Sequence, residues 1–185
     1  MNPEAFLIDI RKQYFYYKRQ ADQAIAQLTD DQLFHQQDGS NSVAIIVKHI
    51  SGNLLSRFTD FKQSDGEKHW RDRDQEFVLH STKKADLTKQ WEKAWQVLSI
   101  ALDSIDYADV DDIVYIRKQP HRISTALIRS ITHTASHVGQ IIYAAKTVIG
   151  HDWKNLSIPL GGSAKYNEAS INNPSVDHHY TDYLK

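Results

Sequence analysis

Apolar residues recur at intervals of three and four along four long stretches of this chain, the period an α-helix with one buried face requires. The first stretch, about residues 3 to 28, carries Phe6, Ile10, Tyr14, Tyr17, Ala21, Ala24 and Leu28 on one stripe, and Pro3 suits a first helical turn. The second follows Asn41-Ser42, a pair fit to cap a helix start, and aligns Val43, Ile46, Val47, Ile50, Leu54, Phe58 and Phe61 before a stop near Ser64-Asp65-Gly66. The third, about residues 81 to 105, points both Trp91 and Trp95 at the core. The fourth starts after Ser124, keeps Leu127, Ile131, Val138, Ile141 and Ala145 on one side, and stops at Gly150. Four amphipathic helices predict an all-α fold, a four-helix bundle.

The connections are uneven. Those at about 64–80 and 106–123 are too long for simple turns. Ile113-Val114-Tyr115-Ile116-Arg117 is rich in β-branched and aromatic residues and predicts a short strand, paired in a β-hairpin or beside Glu76-Phe77-Val78-Leu79. Beyond Gly150 the helical period fades, which predicts an irregular flap. One bundle domain is expected over residues 1–169, with a polar tail over 170–185.

Composition narrows the function. A formal charge of −1, with acidic and basic residues interspersed, provides no basic stripe for nucleic acid and no polybasic anchor for a membrane. No apolar run approaches the roughly 20 residues of a membrane span, and Met1 to Lys12 is charged where a signal peptide would be apolar, so a cytoplasmic location is expected. The chain has no Cys, which removes disulfides, thiolate nucleophiles and Cys-rich zinc sites. Any metal must be held by His and oxygen ligands.

His133 and His137 lie one helical turn apart in the fourth stretch, so their rings project side by side. A helical-wheel count sets both at the edge of the apolar stripe, and sets His49 likewise on the second helix. Three imidazoles flanking a core can close on one divalent ion and leave coordination positions open, as catalytic rather than structural sites do. Histidines beside a helical core also serve as hydrogen-bonded packing residues, and spacing alone does not separate the two readings.

Other residues extend the stripe. Asn53 is one turn after His49 and Gln140 three residues after His137, where either amide can support a ligand or a substrate, or simply satisfy solvent. Arg57, with Arg71 and Arg73, can present guanidinium forks to an anionic substrate, unless Asp72, Asp74 and Glu76 neutralise them. His121, just before the fourth helix, is placed to reach the mouth of a cleft. His178 and His179 belong to the polar tail and are expected to stand apart from the site.

Lys48-His49-Ile50-Ser51-Gly52-Asn53 and His133-Thr134-Ala135-Ser136-His137-Val138-Gly139-Gln140-Ile141, with the runs from Ser64 to Phe77 and from Trp153 to Pro159, resemble the DinB-like superfamily. This bacterial group of four-helix bundles includes bacillithiol S-transferases and mycothiol-dependent maleylpyruvate isomerases. The likeness covers about Ala5 to Asn167 and falls closest to an uncharacterised subgroup. It implies a metal site of His49, His133 and His137 holding zinc or nickel, or else iron or manganese. It also implies thiol S-transfer or hydrolysis on a small-molecule substrate, and a homodimer. Without Cys in the chain, a transferred thiol must come from a low-molecular-weight cosubstrate. The alternatives are a non-catalytic metal- or ligand-binding protein, active during stress, and a metal-free interaction bundle.

Overall fold

The computed structural model describes residues 2–37, 39–172 and 174–175. Four long helices carry the fold: α1 (Pro3–Ala26), α3 (Val43–Phe58), α4 (Lys84–Asp103) and α5 (Ile123–Ile149), with a short α2 (Asp30–Phe34) and a later α6 (Ser163–Ile171). Each long helix starts or stops where local chemistry dictates. The Asn2 side chain accepts hydrogen bonds from the first-turn amides of Glu4 and Ala5, with Pro3 opening α1. Ser42 Oγ accepts from Ile45 N at the start of α3, and Gly150, at φ +67°, closes α5.

The helices form a ring in which α1 packs on α5, α5 on α3, and α3 on α4. The ring closes through side chains: Trp91 Nε1 on α4 donates to Asp22 at 2.7 Å, Lys18 reaches Glu92, and Arg11 pairs with Asp103. Tyr14, Trp95, Ile50, Leu54, Leu98, Leu127 and Ile141 are fully buried at the centre. Burying one such side chain is worth about 1.5–3 kcal/mol. Trp91 and Trp95 stack edge to face, and Tyr14, with no exposed surface, donates its hydroxyl to Leu127 O. Burial pushes the Tyr14 hydroxyl pKa well up, which keeps it a neutral donor.

The expected hairpin is present but has a different partner. β1 (Ile113–Ile116) pairs antiparallel with β2 (Gln119–Arg122), in the register Ile113 to Arg122 and Ile116 to Gln119. The Glu76–Leu79 stretch is not a strand; residues Asp74–Phe77 form a 3₁₀ turn instead, because Glu76 is drawn inward by ionic partners. Arg117 and Lys118 form the two-residue turn at φ +55° and +60°, a conformation disfavoured for side chains other than Gly, Asn or Asp. The Asp65 carboxylate holds it by accepting both of their amides, at 2.8 and 2.6 Å.

Three further boundaries differ from the sequence reading. α3 stops at Phe58 rather than near Ser64, and Asp60 follows at φ +47°. α2 was not anticipated, although Thr29 and Gln32 form a reciprocal capping box at its start. The flap after Gly150 contains α6. Residues 176–185, with His178 and His179, lie outside the described residues.

Candidate metal centre

α3 and α5 face each other, and the edge-of-stripe histidines meet between them. His49 is 4% exposed, while His133 and His137 are half-buried. One ring nitrogen from each lies within 4.8 Å of the other two, the one such His and carboxylate cluster among the described residues. His49 Nε2 and His133 Nε2 are 3.2 Å apart. Two nitrogens bound to one tetrahedral zinc at about 2.05 Å would be separated by about 3.3 Å. Donor type, number and spacing therefore fit a divalent ion.

The rings are fixed from behind. His49 Nδ1 lies 2.8 Å from Glu76 Oε2, and a carboxylate can only accept there, so His49 holds a proton on Nδ1 and turns Nε2 toward the other histidines. Glu76 is itself 5% exposed and is clamped by Arg71, from Nε to Oε1 at 2.8 Å and from Nη2 to Oε2 at 3.1 Å. Burial pushes the Glu76 carboxyl up, but the hydrogen bonds from His49 and Arg71 outweigh it and hold the group below its ordinary range. Gly52 makes this approach feasible: a Cβ there would stand 2.3 Å from Glu76 Oε1. Phe77 packs its ring beside His49, with centroids 5.0 Å apart.

On α5, Gln140 Oε1 accepts from His137 Nδ1 at 2.9 Å and leaves Nε2 free to face the cluster. Burial above all, then the neighbouring His137 and His49, lowers His133 to about 4; burial also lowers His137. Both rings are thus neutral near pH 7, the protonation state a metal ligand needs. His133 Nδ1 is buried and has no hydrogen-bond partner among the described residues.

His49 and His133 line a small cleft of about 150 Å³, while His137, in ring contact with both, stands outside its lining. Asn53 lines it, and so do Arg57 and Arg71, as the stripe running down α3 and into the next loop suggested. Arg57 also binds Glu67 at 2.9 Å and the Gly66 carbonyl. Arg73 is there as well, stacked over Phe77. His121 does not line the cleft; it accepts a hydrogen bond from Arg129, which does. Trp70, on the same loop as Arg71 and Arg73, is half exposed. A larger hollow of about 1140 Å³ lies between the α2–α3 connection and α5 and meets the histidines' surroundings through Gln140.

Sequence reasoning missed three residues. Glu76 lies on a connection 27 residues from His49, where no periodicity links them, and it was read only as a neutraliser of nearby arginines. Arg117 reaches the cleft through the hairpin turn. Arg129 did leave a signal, since it precedes His133 by one helical turn on the same face.

An all-α bundle whose α3 and α5 bring three histidines together is consistent with the DinB-like metal-binding fold. The chain belongs to the family of proteins of unknown function DUF1572, whose model matches residues 2–162 and so spans all three histidines. No curated protein and no solved structure matches the chain. No helix among the described residues is long and apolar enough to cross a membrane.

Proposed function

We propose that the protein is a metal-dependent enzyme, a transferase of the thiol S-transfer type or a hydrolase, with His49, His133 and His137 as the ligands. The observation that carries this reading is the converging trio backed by the buried Glu76, with His49 and His133 lining a cleft rather than enclosed in the core. A closed four-ligand set would suit a structural ion; three imidazoles beside a cleft suit chemistry. Bound there, zinc or nickel supplies Lewis acidity toward an oxygen or sulfur nucleophile or toward a polarised electrophile. The chain's own residues do the rest. Glu76 accepts the His49 Nδ1 proton and fixes that ring's tautomer. Gln140 sets the orientation of His137. Asn53 and Arg57 face the cleft, where they orient a substrate.

With no Cys in the chain, a thiol nucleophile arrives as a low-molecular-weight cosubstrate, and water takes its place in the hydrolytic version. The test is elemental analysis of tag-free protein beside a His133→Ala/His137→Ala variant, with folding checked by circular dichroism. Near-stoichiometric metal lost only in the variant supports the site, and metal-dependent conversion of an electrophile with a thiol, or of an ester, then separates the two reactions. Saturable metal without turnover favours the non-catalytic binding protein. No metal after reconstitution with zinc, nickel, iron or manganese sinks the reading.

A further inference from the structure

We propose that the cleft beside the histidines is a binding site for a small ligand carrying an oxyanion group of two or more negative charges, a phosphoryl group or a dicarboxylate. Five guanidinium groups line a space of about 150 Å³: Arg57 from α3, Arg71 and Arg73 from the following loop, Arg117 from the hairpin turn and Arg129 from α5. They come from four separate segments of a chain whose net charge is only −1, so the concentration is local and not a general basicity.

Internal carboxylates do not neutralise the group. One carboxylate, Glu67, is shared by Arg57 at 2.9 Å, Arg117 at 3.2 Å and Arg71 at 3.5 Å. Glu76 is divided between Arg71 and His49. Asp65 is spent on the hairpin backbone and Asp72 on the Gln75 amide. Arg73 and Arg129 have no carboxylate partner among the described residues; the first stacks on Phe77 and the second donates to His121. Arg73 and Arg129 are thereby left able to pair with the negative charge of a ligand.

A second, independent feature points the same way. Asn53 is 8% exposed and lines the cleft. Its NH₂ is a donor that a ligand oxygen in the cleft can accept from. The small cleft suits a compact anion such as a phosphate or a four-carbon dicarboxylate. Guanidinium forks match both oxyanions bidentately, which is why the shared chemistry is committed to here and the two sources are left to the test. That such an anion is part of the substrate, and directs its reactive end to the histidines, rests on the enzymatic reading above.

The test is isothermal titration of the full-length protein, metal-loaded and chelator-treated, with inorganic phosphate, succinate and the uncharged succinamide. Saturable binding of phosphate or succinate but not succinamide is expected in both forms, weakening as salt is raised. Whichever anion binds tighter identifies the source. Arg73→Gln/Arg129→Gln should weaken it by roughly tenfold or more, since charge-assisted hydrogen bonds are lost. Both side chains are exposed, so an unchanged thermal melt confirms that the variant is folded. Binding of neither phosphate nor succinate, binding of succinamide as tight as that of the anions, or wild-type affinity in the folded double variant, overturns the proposal. Anion binding by a protein that takes up no metal would sink the enzymatic reading and leave this site standing; stoichiometric metal without anion binding would do the reverse.

Discussion

At the scale of single residues, Glu76 has the most connected role. It is the proton acceptor of His49, the partner of Arg71, and the reason position 52 tolerates no side chain. A carboxylate behind a ligating imidazole raises its basicity and fixes its direction, and removing such a partner typically costs 10- to 100-fold in metal affinity. Glu76→Gln is therefore expected to lower zinc affinity by about 10- to 100-fold with the fold retained. Gly52→Ala should act in the same direction by pushing the carboxylate away. Competition with a chromophoric chelator measures both; unchanged affinity in Glu76→Gln would mean that His49 needs no such support. The α3 stripe of His49, Asn53 and Arg57 was legible because residues four apart share a helix face. Glu76 was not, because only a folded connection brings it to His49.

At the scale of elements, the hairpin shows how one side chain can hold a turn that its own sequence does not favour. Arg117-Lys118 occupies a position where Asn-Gly is the usual choice, and Asp65 offsets the unfavourable backbone with two hydrogen bonds. Because Val114 and Ile116 are buried, the hairpin is coupled to the core and its strain registers in global stability. Lys118→Gly should stabilise the protein by about 1 kcal/mol, and Asp65→Ala should destabilise it by about 1–2 kcal/mol. Urea denaturation reads both as shifted midpoints at constant slope, and a stabilising Asp65→Ala would show that the turn is not held this way. The four long helices were predicted from their apolar period, and their caps from Ser42, Pro3 and Gly150. β2 was not, since Gln119-Pro120-His121-Arg122 has no strand signature and pairs only because the turn folds it back on β1.

At the scale of the whole molecule, the site opposes stability in acid. His133 falls from 6.5 to about 4 on folding, so the unfolded chain binds a proton more readily over that window. Stability that is fully present above the unfolded value is then lost as pH falls toward about 4, and His137, also lowered, adds to the loss. Glu67 and Glu76, both held below the ordinary carboxylate range, add theirs as acidity increases further. In metal-free protein, the melting temperature should decline between about pH 6.5 and 4 more steeply for wild type than for His133→Ala. Parallel curves would show that the burial of His133 carries no such penalty. The amino-acid sequence by itself determined the four long helices, the lack of a cysteine nucleophile and the pairing of His133 with His137, because periodicity, residue type and one-turn spacing are local properties. Tertiary structure alone decided that Glu76 stands behind His49, that Asp65 holds the hairpin, and that arginines from four segments share one cleft. Those contacts join residues far apart in sequence, and only the packing of α3 against α5, with the two long connections laid over them, determines which distant charges become neighbours.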